Sequence, residues 1–184
     1  MSENSPPPIS SDWKPVAFKE WQVVCEALAS GEQSLILRKG GISEGKHGFQ
    51  WIHDKFFMFP SYFHEQLDQV KPMPDGSDRV LKNPPAPKSG TEDDAKELDF
   101  GIYCETIETG RLTKWEDIQA LDSEHIWKED IIRERFEWGD EFGISFARVN
   151  AWTLPKPVIL TDRKGFGGCR SWIGFPSDEV FPQL

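Results

Sequence analysis

The 184-residue chain has no apolar run close to the roughly 20 residues that cross a bilayer. Its three cysteines are widely spaced and form no CxxC pair, which argues against a disulfide framework or a zinc ribbon. Neither a P-loop nor a dinucleotide-binding glycine fingerprint occurs in it. The first residues also lack the basic and apolar regions of a secretory signal. We therefore expect a cytoplasmic protein with reduced thiols, no metal site and no membrane association, and the sequence assigns no cofactor.

Basic residues are scarce as well, with 21 Lys and Arg against 31 Asp and Glu and a net charge of −10. This balance disfavours non-specific binding to nucleic acid or to an acidic membrane. The distribution is uneven, because residues 115–145 hold ten acids and three bases, whereas residues 146–174 hold five bases and one acid. The C-terminal part is thus a cationic island that can bind a phosphate or an acidic partner.

Aromatic residues are plentiful, and the eight Trp and thirteen Phe supply large apolar areas for a core. Apolar spacing predicts a helix at 15–30, ended by Gly31, because four apolar residues recur there at helical intervals. Pro155 and Pro157 are expected to end the strand before them. The other predicted elements are strands at 33–38, 49–59, 98–106, 142–154, 158–160 and 169–175, a helical turn that begins at Ser61, a helix from the capping box of Thr113 and Glu116 to about 121, and a helix at 128–138. This order predicts an α+β fold with a mostly antiparallel sheet or small barrel and flanking helices.

Composition also divides the chain into segments. Residues 1–12 are polar and Pro-rich and are predicted to form a disordered arm. Residues 71–97 combine prolines, glycines and charges with little apolar content, which indicates an exposed insertion or linker. Segments 13–70 and 98–176 are then expected to form one α+β domain.

The first candidate site follows the strand at 33–38. Arg38 and Lys39 precede Gly40 and Gly41, and two cations beside the exposed amides of a glycine turn can cradle a phosphate. A plain strand-end turn with solvated cations explains the same four residues, and most glycine-rich turns are of this kind.

The second candidate is the basic segment GGCRSW at 167–172. Strand alternation places Arg170 and Trp172 on one face, where a cation and an aromatic ring suit phosphate contact and base stacking. A cation–π pair at the edge of the core is the alternative. With Arg148 as a further cation, the proposed ligand is a nucleic acid or a nucleotide. This proposal requires the segment at 38–41 to meet the segment at 167–172 in the folded protein.

Two other functions stay open. Imidazole is the usual general acid or base near neutral pH, so His53 and His64, with Glu44 or Glu65 as partner, can serve a hydrolase or nuclease, with or without a metal. Structural histidines explain the same pattern.

The acidic helix at 128–138 instead suits a non-catalytic protein-interaction module. Within that helix, Arg135 is expected to pair with a buried carboxylate such as Glu20, because a buried charge without a partner is costly.

Five segments carry a resemblance to a known family: AFKEW at 17–21, GEQSLILRKGGISE at 31–44, FFMFPSYFHEQ at 56–66, HIW at 125–127 and GGCRSW at 167–172. Together they resemble a bacterial family known only as domain of unknown function family 1802. This resemblance implies no established activity and only a loose link to restriction–modification genes. The helix–glycine–strand pattern ALASGEQSLILR also resembles the opening of the ASCH group of PUA-like barrels, which implies an RNA-associated fold.

Overall fold

The computed structural model describes residues 6–8, 10, 12–39, 49–82, 97–162, 166 and 170–175. Several features singled out in the sequence lie outside these residues. They are Gly40, Gly41, Glu44, Cys169, most of the predicted N-terminal arm and most of the predicted insertion.

A mostly antiparallel sheet organises the described residues. Its six strands are β1 (Val16–Trp21), β2 (Leu35–Arg38), β3 (Lys55–Ser61), β4 (Glu97–Leu112), β5 (Ile144–Thr161) and β6 (Trp172–Gly174). They lie side by side in the order β2-β5-β4-β3-β1-β6, with β1 and β3 parallel and the other neighbours antiparallel. The described part of the chain adds three α-helices, α1 (Gln22–Ser30), α2 (Trp115–Gln119) and α3 (Glu129–Glu137). The predicted α+β class is confirmed.

The helix predicted at 15–30 is wrong over its first part, because Val16–Trp21 form β1 and α1 begins only at Gln22. Ala17 and Phe18 are both fully buried and belong to separate hydrophobic clusters. A strand that is buried on both faces has no polar–apolar alternation, so its apolar residues resembled a helical stripe. The predicted end of the helix is confirmed, since Gly31 takes a left-handed conformation with φ of 75°.

The prolines of β5 do not end the strand. Phe100 pairs with Val158 and Ile102 pairs with Thr153, so residues 154–157 stand opposite a single residue of β4. Pro155 and Pro157 therefore lie in a bulge, where the missing backbone N–H removes no ladder hydrogen bond. The strands predicted at 142–154 and 158–160 are two parts of one long strand.

Two predicted helix caps are also wrong. The residue before α2 is Lys114 rather than Thr113, and its side chain makes no capping hydrogen bond. Ser61 belongs to β3, where its hydroxyl donates to the carbonyl of Glu20 at 3.0 Å instead of starting a helix. Ser61 is held by the sheet, so its local capping preference is overruled.

Apolar side chains cover both faces of the sheet. The larger cluster packs the three helices against one face through residues such as Leu28, Ile118 and Ile132. The smaller cluster covers the other face with Phe57, Phe100 and other side chains. Within the described residues, no helix combines the length and apolar character needed to cross a bilayer.

Buried polar side chains tie the loops to this core. Gln33 accepts from the backbone N–H of Ile126 at 3.1 Å, and His125 Nδ1 accepts from the backbone N–H of Trp127 at 3.2 Å. His125 is only 5% exposed. Burial, with a smaller contribution from Lys71, lowers the pKa of His125 to about 4, so this imidazole is neutral in the folded protein near pH 7.

We expect His125 to make the fold sensitive to acid. The unfolded imidazole takes up a proton near pH 6.5, whereas the folded one does so only near pH 4. Its contribution to stability is therefore complete above pH 6.5 and is lost as the pH falls towards 4. The full loss amounts to about 3 kcal/mol. Urea unfolding between pH 4 and pH 8 measures it.

His125→Asn provides the matched variant, because its side-chain oxygen can accept the Trp127 N–H but does not titrate. The free energy of unfolding should fall less on acidification in this variant than in the wild type. An equal fall in both proteins would contradict the assignment.

Candidate functional site

The end of β2 lies beside the segment that leads into β6. Nε and Nη2 of Arg38 donate to the hydroxyl of Ser171 at 3.2 and 2.9 Å. The backbone N–H of Lys19 in β1 donates to the carbonyl of Ser171 at 2.8 Å, which fixes this segment against the sheet. Arg170, next in the chain, is exposed. The two distant segments singled out in the sequence therefore meet at Arg38.

Trp172 and the aromatic rings around it form the second part of this site. Its ring centroid lies 4.9 Å from those of Phe18 and His53 and 5.9 Å from that of Trp51. Its indole N–H donates to the carbonyl of Gln50 at 3.2 Å, which fixes the ring orientation. The Arg38 guanidinium lies 5.7 Å from the centre of the Phe18 ring, so cation and aromatic rings form one cluster.

Arg135, on α3, places a second guanidinium near Arg38. Its Cζ lies 3.8 Å from the centre of the Trp127 ring and 5.0 Å from that of Trp21. Burial lowers the pKa of Arg135, and the nearby charge of Arg38 lowers it further. The two cations are thus close enough to repel each other.

Glu20 does not form the predicted ion pair with Arg135. This carboxylate is 3% exposed and lies close enough to raise the pKa of Arg135, yet no hydrogen bond or salt bridge joins them. Glu20 Oε1 instead accepts from the backbone N–H of Trp21 at 2.8 Å. Among the described residues, the Arg135 guanidinium has aromatic neighbours but no hydrogen-bond acceptor.

The two candidate histidines have separate surroundings. His53 packs against Trp172, whereas His64 is exposed, packs against Phe63 and lies 3.3 Å from Glu65 through Nε2 and Oε1. In the part of the chain that the structure describes, no three His, Cys, Asp or Glu side chains are grouped to hold a metal. The geometry gives no acid–base pair that includes both imidazoles.

Arg148 lies elsewhere and has acidic partners of its own. Its guanidinium donates to both carboxylate oxygens of Glu124 at 2.8 to 3.0 Å and also to Glu108. These carboxylates raise the pKa of Arg148. In the β2–β5 ladder it faces Leu35, three residues along from Arg38. The structure does not bring Arg148 to the Arg38–Trp172 cluster.

Lys39 points to the end of α3 rather than towards Arg38's partners. Its Nζ donates to the carbonyls of Phe136, Glu141 and Gly143 at 3.0, 2.7 and 2.9 Å. An ammonium group has three protons, so these bonds use all of its donors. Burial lowers the pKa of Lys39. In this geometry the residue caps a helix C-terminus.

The family described as domain of unknown function (DUF1802) matches residues 17–183. The chain belongs to this family. The match includes Arg38, Arg135 and Trp172, and it confirms the resemblance seen in the sequence. No curated protein matches this DUF1802 chain.

Two solved structures of an ASCH protein from Zymomonas mobilis share the fold. The first is 9% identical, with a TM-score of 0.51 and 90% of each chain covered. The second, a serine-to-alanine mutant of the ASCH protein, is 10% identical, with a TM-score of 0.52 and coverage of 90% of this chain and 91% of the other. At these identities the likeness shows the fold alone, and it confirms the predicted resemblance to the ASCH group.

Arg135 is a candidate site residue that the sequence did not reveal. The available signal was its place on a helix face that mixes apolar groups with one cation. The aromatic partners Trp21 and Trp127 are contributed by β1 and by the loop before α3, so local spacing could not reveal the arrangement.

We expect Lys39→Met to destabilise the fold. One carbonyl in the last turn of α3 and two in the loop beyond it lose a charge-assisted donor, at a cost of about 1–3 kcal/mol. Lys156→Met, on the exposed bulge of β5, is the matched control and should change stability little. Urea unfolding measures both. Unchanged stability in Lys39→Met, combined with weaker ligand binding, would instead make Lys39 a ligand residue.

Proposed function

We propose that this DUF1802 protein binds single-stranded nucleic acid or nucleotides at Arg38 and Arg135 and the aromatic side chains around them. One observation carries the proposal. Two neighbouring guanidinium groups lie against aromatic rings, and among the described residues neither is ion-paired with a carboxylate.

Neighbouring cations removed from water need an anion. Burial disfavours the charged form of Arg135 and Arg38 repels it, while the nearby carboxylate of Glu20 offsets only part of these effects. A phosphate group would offset both effects, because its oxygens match the planar fork of a guanidinium. Arg38 Nη1 has no bond within the described residues and can contribute a further donor.

The aromatic surroundings favour a nucleotide over a simple anion. Trp172 and Trp51 are only partly buried, so their rings can take part in stacking. Stacking on aromatic side chains beside cations is the usual way in which unpaired bases are held. Arg170 adds an exposed cation next to Ser171. The ASCH-like fold, of a group associated with RNA, agrees with this proposal without identifying a ligand.

The net charge of −10 limits how binding can occur. An acidic surface repels a polyanion, so attraction must come from the few cations of the site rather than from a broad basic face. With two or three phosphate contacts, log K for a single strand should fall with log salt at a slope of about −1.4 to −2.

Fluorescence anisotropy with short labelled RNA and DNA strands, measured over a range of salt, tests the proposal. We expect Arg38→Met to weaken binding about tenfold, because it removes a charge-assisted contact worth about 1.4 kcal/mol.

Arg133→Met is the matched control. It removes the same charge from an exposed residue of α3 that pairs with Glu137, so it should change affinity little. Circular dichroism must show both variants folded. The proposal fails if no strand or nucleotide shows salt-sensitive binding, or if the two variants weaken binding equally.

A further inference from the structure

We infer that the cavity beside Arg135 receives a terminal phosphate group and that Trp138, at its rim, stacks on the adjoining base. The phosphate would belong to a free nucleotide or to the end of a single strand. This inference rests on the proposed function and names the part of the ligand that the site recognises.

The cavity has a volume of about 200 Å³. It is smaller than the roughly 300 Å³ at which pockets for whole small molecules begin, so it suits one compact group. Its walls come from the residue after β2, from α3 and the residue after it, and from the short helix Gln66–Gln69. The lining residues are Lys39, Gln69, Ile131, Glu134, Arg135 and Trp138.

Arg135 supplies the donors. The guanidinium Cζ lies over the rings of Trp127 and Trp21, whose planes are inclined by 62°, so the guanidinium can stack parallel to one of them at most. An indole ring offers no lone-pair acceptor to the guanidinium N–H groups. No acceptor among the described residues takes these N–H groups, although Arg135 lines the cavity. Arg135 is partly buried, and a guanidinium that lines a cavity can donate to an acceptor group that a ligand brings.

Cations outnumber carboxylates around the cavity. Lys39 donates to three carbonyls and so contributes its charge rather than a hydrogen bond. Arg135 and the neighbouring Arg38 also favour an anion, whereas Glu134 and the nearby Glu20 oppose one. A terminal phosphate presents three acceptor oxygens, one more than an internal phosphodiester, which suits the N–H groups of Arg135.

Trp138 indicates what is attached to the phosphate. Its side chain is 53% exposed at the mouth of the cavity. An exposed indole beside a phosphate-sized cavity allows a base to stack outside while the phosphate lies inside. A free phosphate or a phosphopeptide would gain nothing from this ring.

The experiment compares ligands that differ in one group, using the full chain. One oligonucleotide is prepared with a 5′-phosphate, with a 3′-phosphate and with neither. A nucleoside monophosphate is compared with its nucleoside and with inorganic phosphate. We expect at least one phosphorylated end to bind about tenfold more tightly than the unphosphorylated strand, as one further charge-assisted contact predicts. The nucleoside monophosphate should bind more tightly than inorganic phosphate.

Three variants assign the effect to the cavity. Arg135→Met and Gln69→Glu should each remove the preference for a phosphorylated end. The first removes the hydrogen-bond donors, and the second adds a negative charge that repels the phosphate. Because Gln69→Glu keeps the side-chain size, it still tests the cavity if Arg135→Met does not fold. Trp138→Ala should remove the advantage of the nucleoside monophosphate over inorganic phosphate, whereas Tyr62→Ala, also 53% exposed, should not.

The outcomes separate this inference from the proposed function. Salt-sensitive binding of strands with no preference for any terminal phosphate overturns the inference and leaves the proposed function intact. Failure of every strand and nucleotide to bind overturns both. A preference that survives in Gln69→Glu, or inorganic phosphate or a phosphoserine peptide that binds as tightly as the nucleoside monophosphate, also overturns the inference.

Discussion

The packing around Phe18 joins the two edges of the sheet, and the candidate site depends on it. Phe18 is fully buried in β1 and pairs with Trp172 of β6 on one side and Met58 of β3 on the other. Arg38, from the opposite edge strand, lies over its ring. Among the described strands, β2 and β6 form no ladder with each other, and their ends are connected through the Arg38–Ser171 hydrogen bonds. Side chains therefore join the edges at the place where a closed barrel would have backbone pairing, and polar side chains can face a ligand there.

The predictions that succeeded came from residues whose local pattern determines their structure. Gly31 ends α1 because a left-handed residue is needed there, and the alternating apolar residues of β5 indicate a strand. β1 was missed because burial on both faces removes alternation. The bulge at Pro155 was missed because it depends on pairing with β4, which the sequence of β5 alone does not contain. Local pattern thus located the segments of the sheet, whereas tertiary pairing set their ends.

The distinction between local pattern and tertiary contact also applies to the candidate site. Arg38 and Trp172 were identified from a strand-end turn and from strand alternation, and the structure brings both to one cluster. Lys39 was included because it follows Arg38, but its partners are carbonyls at the end of α3 and the loop beyond, far along the chain. Arg148 was included for its charge, although two glutamates already bind it. Sequence indicates where cations occur, but it does not indicate whether their donors are already in use.

That last property distinguishes Lys39 and Arg148 from Arg135 in this protein. Lys39 and Arg148 direct their N–H groups at carbonyls and carboxylates, so a ligand would have to displace existing bonds. Arg135 is held differently, because aromatic rings stabilise its charge and no carbonyl or carboxylate of the described residues accepts its N–H groups. A lysine could not be held in this way with the same result, since its compact, strongly hydrated ammonium has no planar fork to stack. Two tryptophans can therefore position a cation inside an acidic protein and leave its hydrogen bonds for a phosphate.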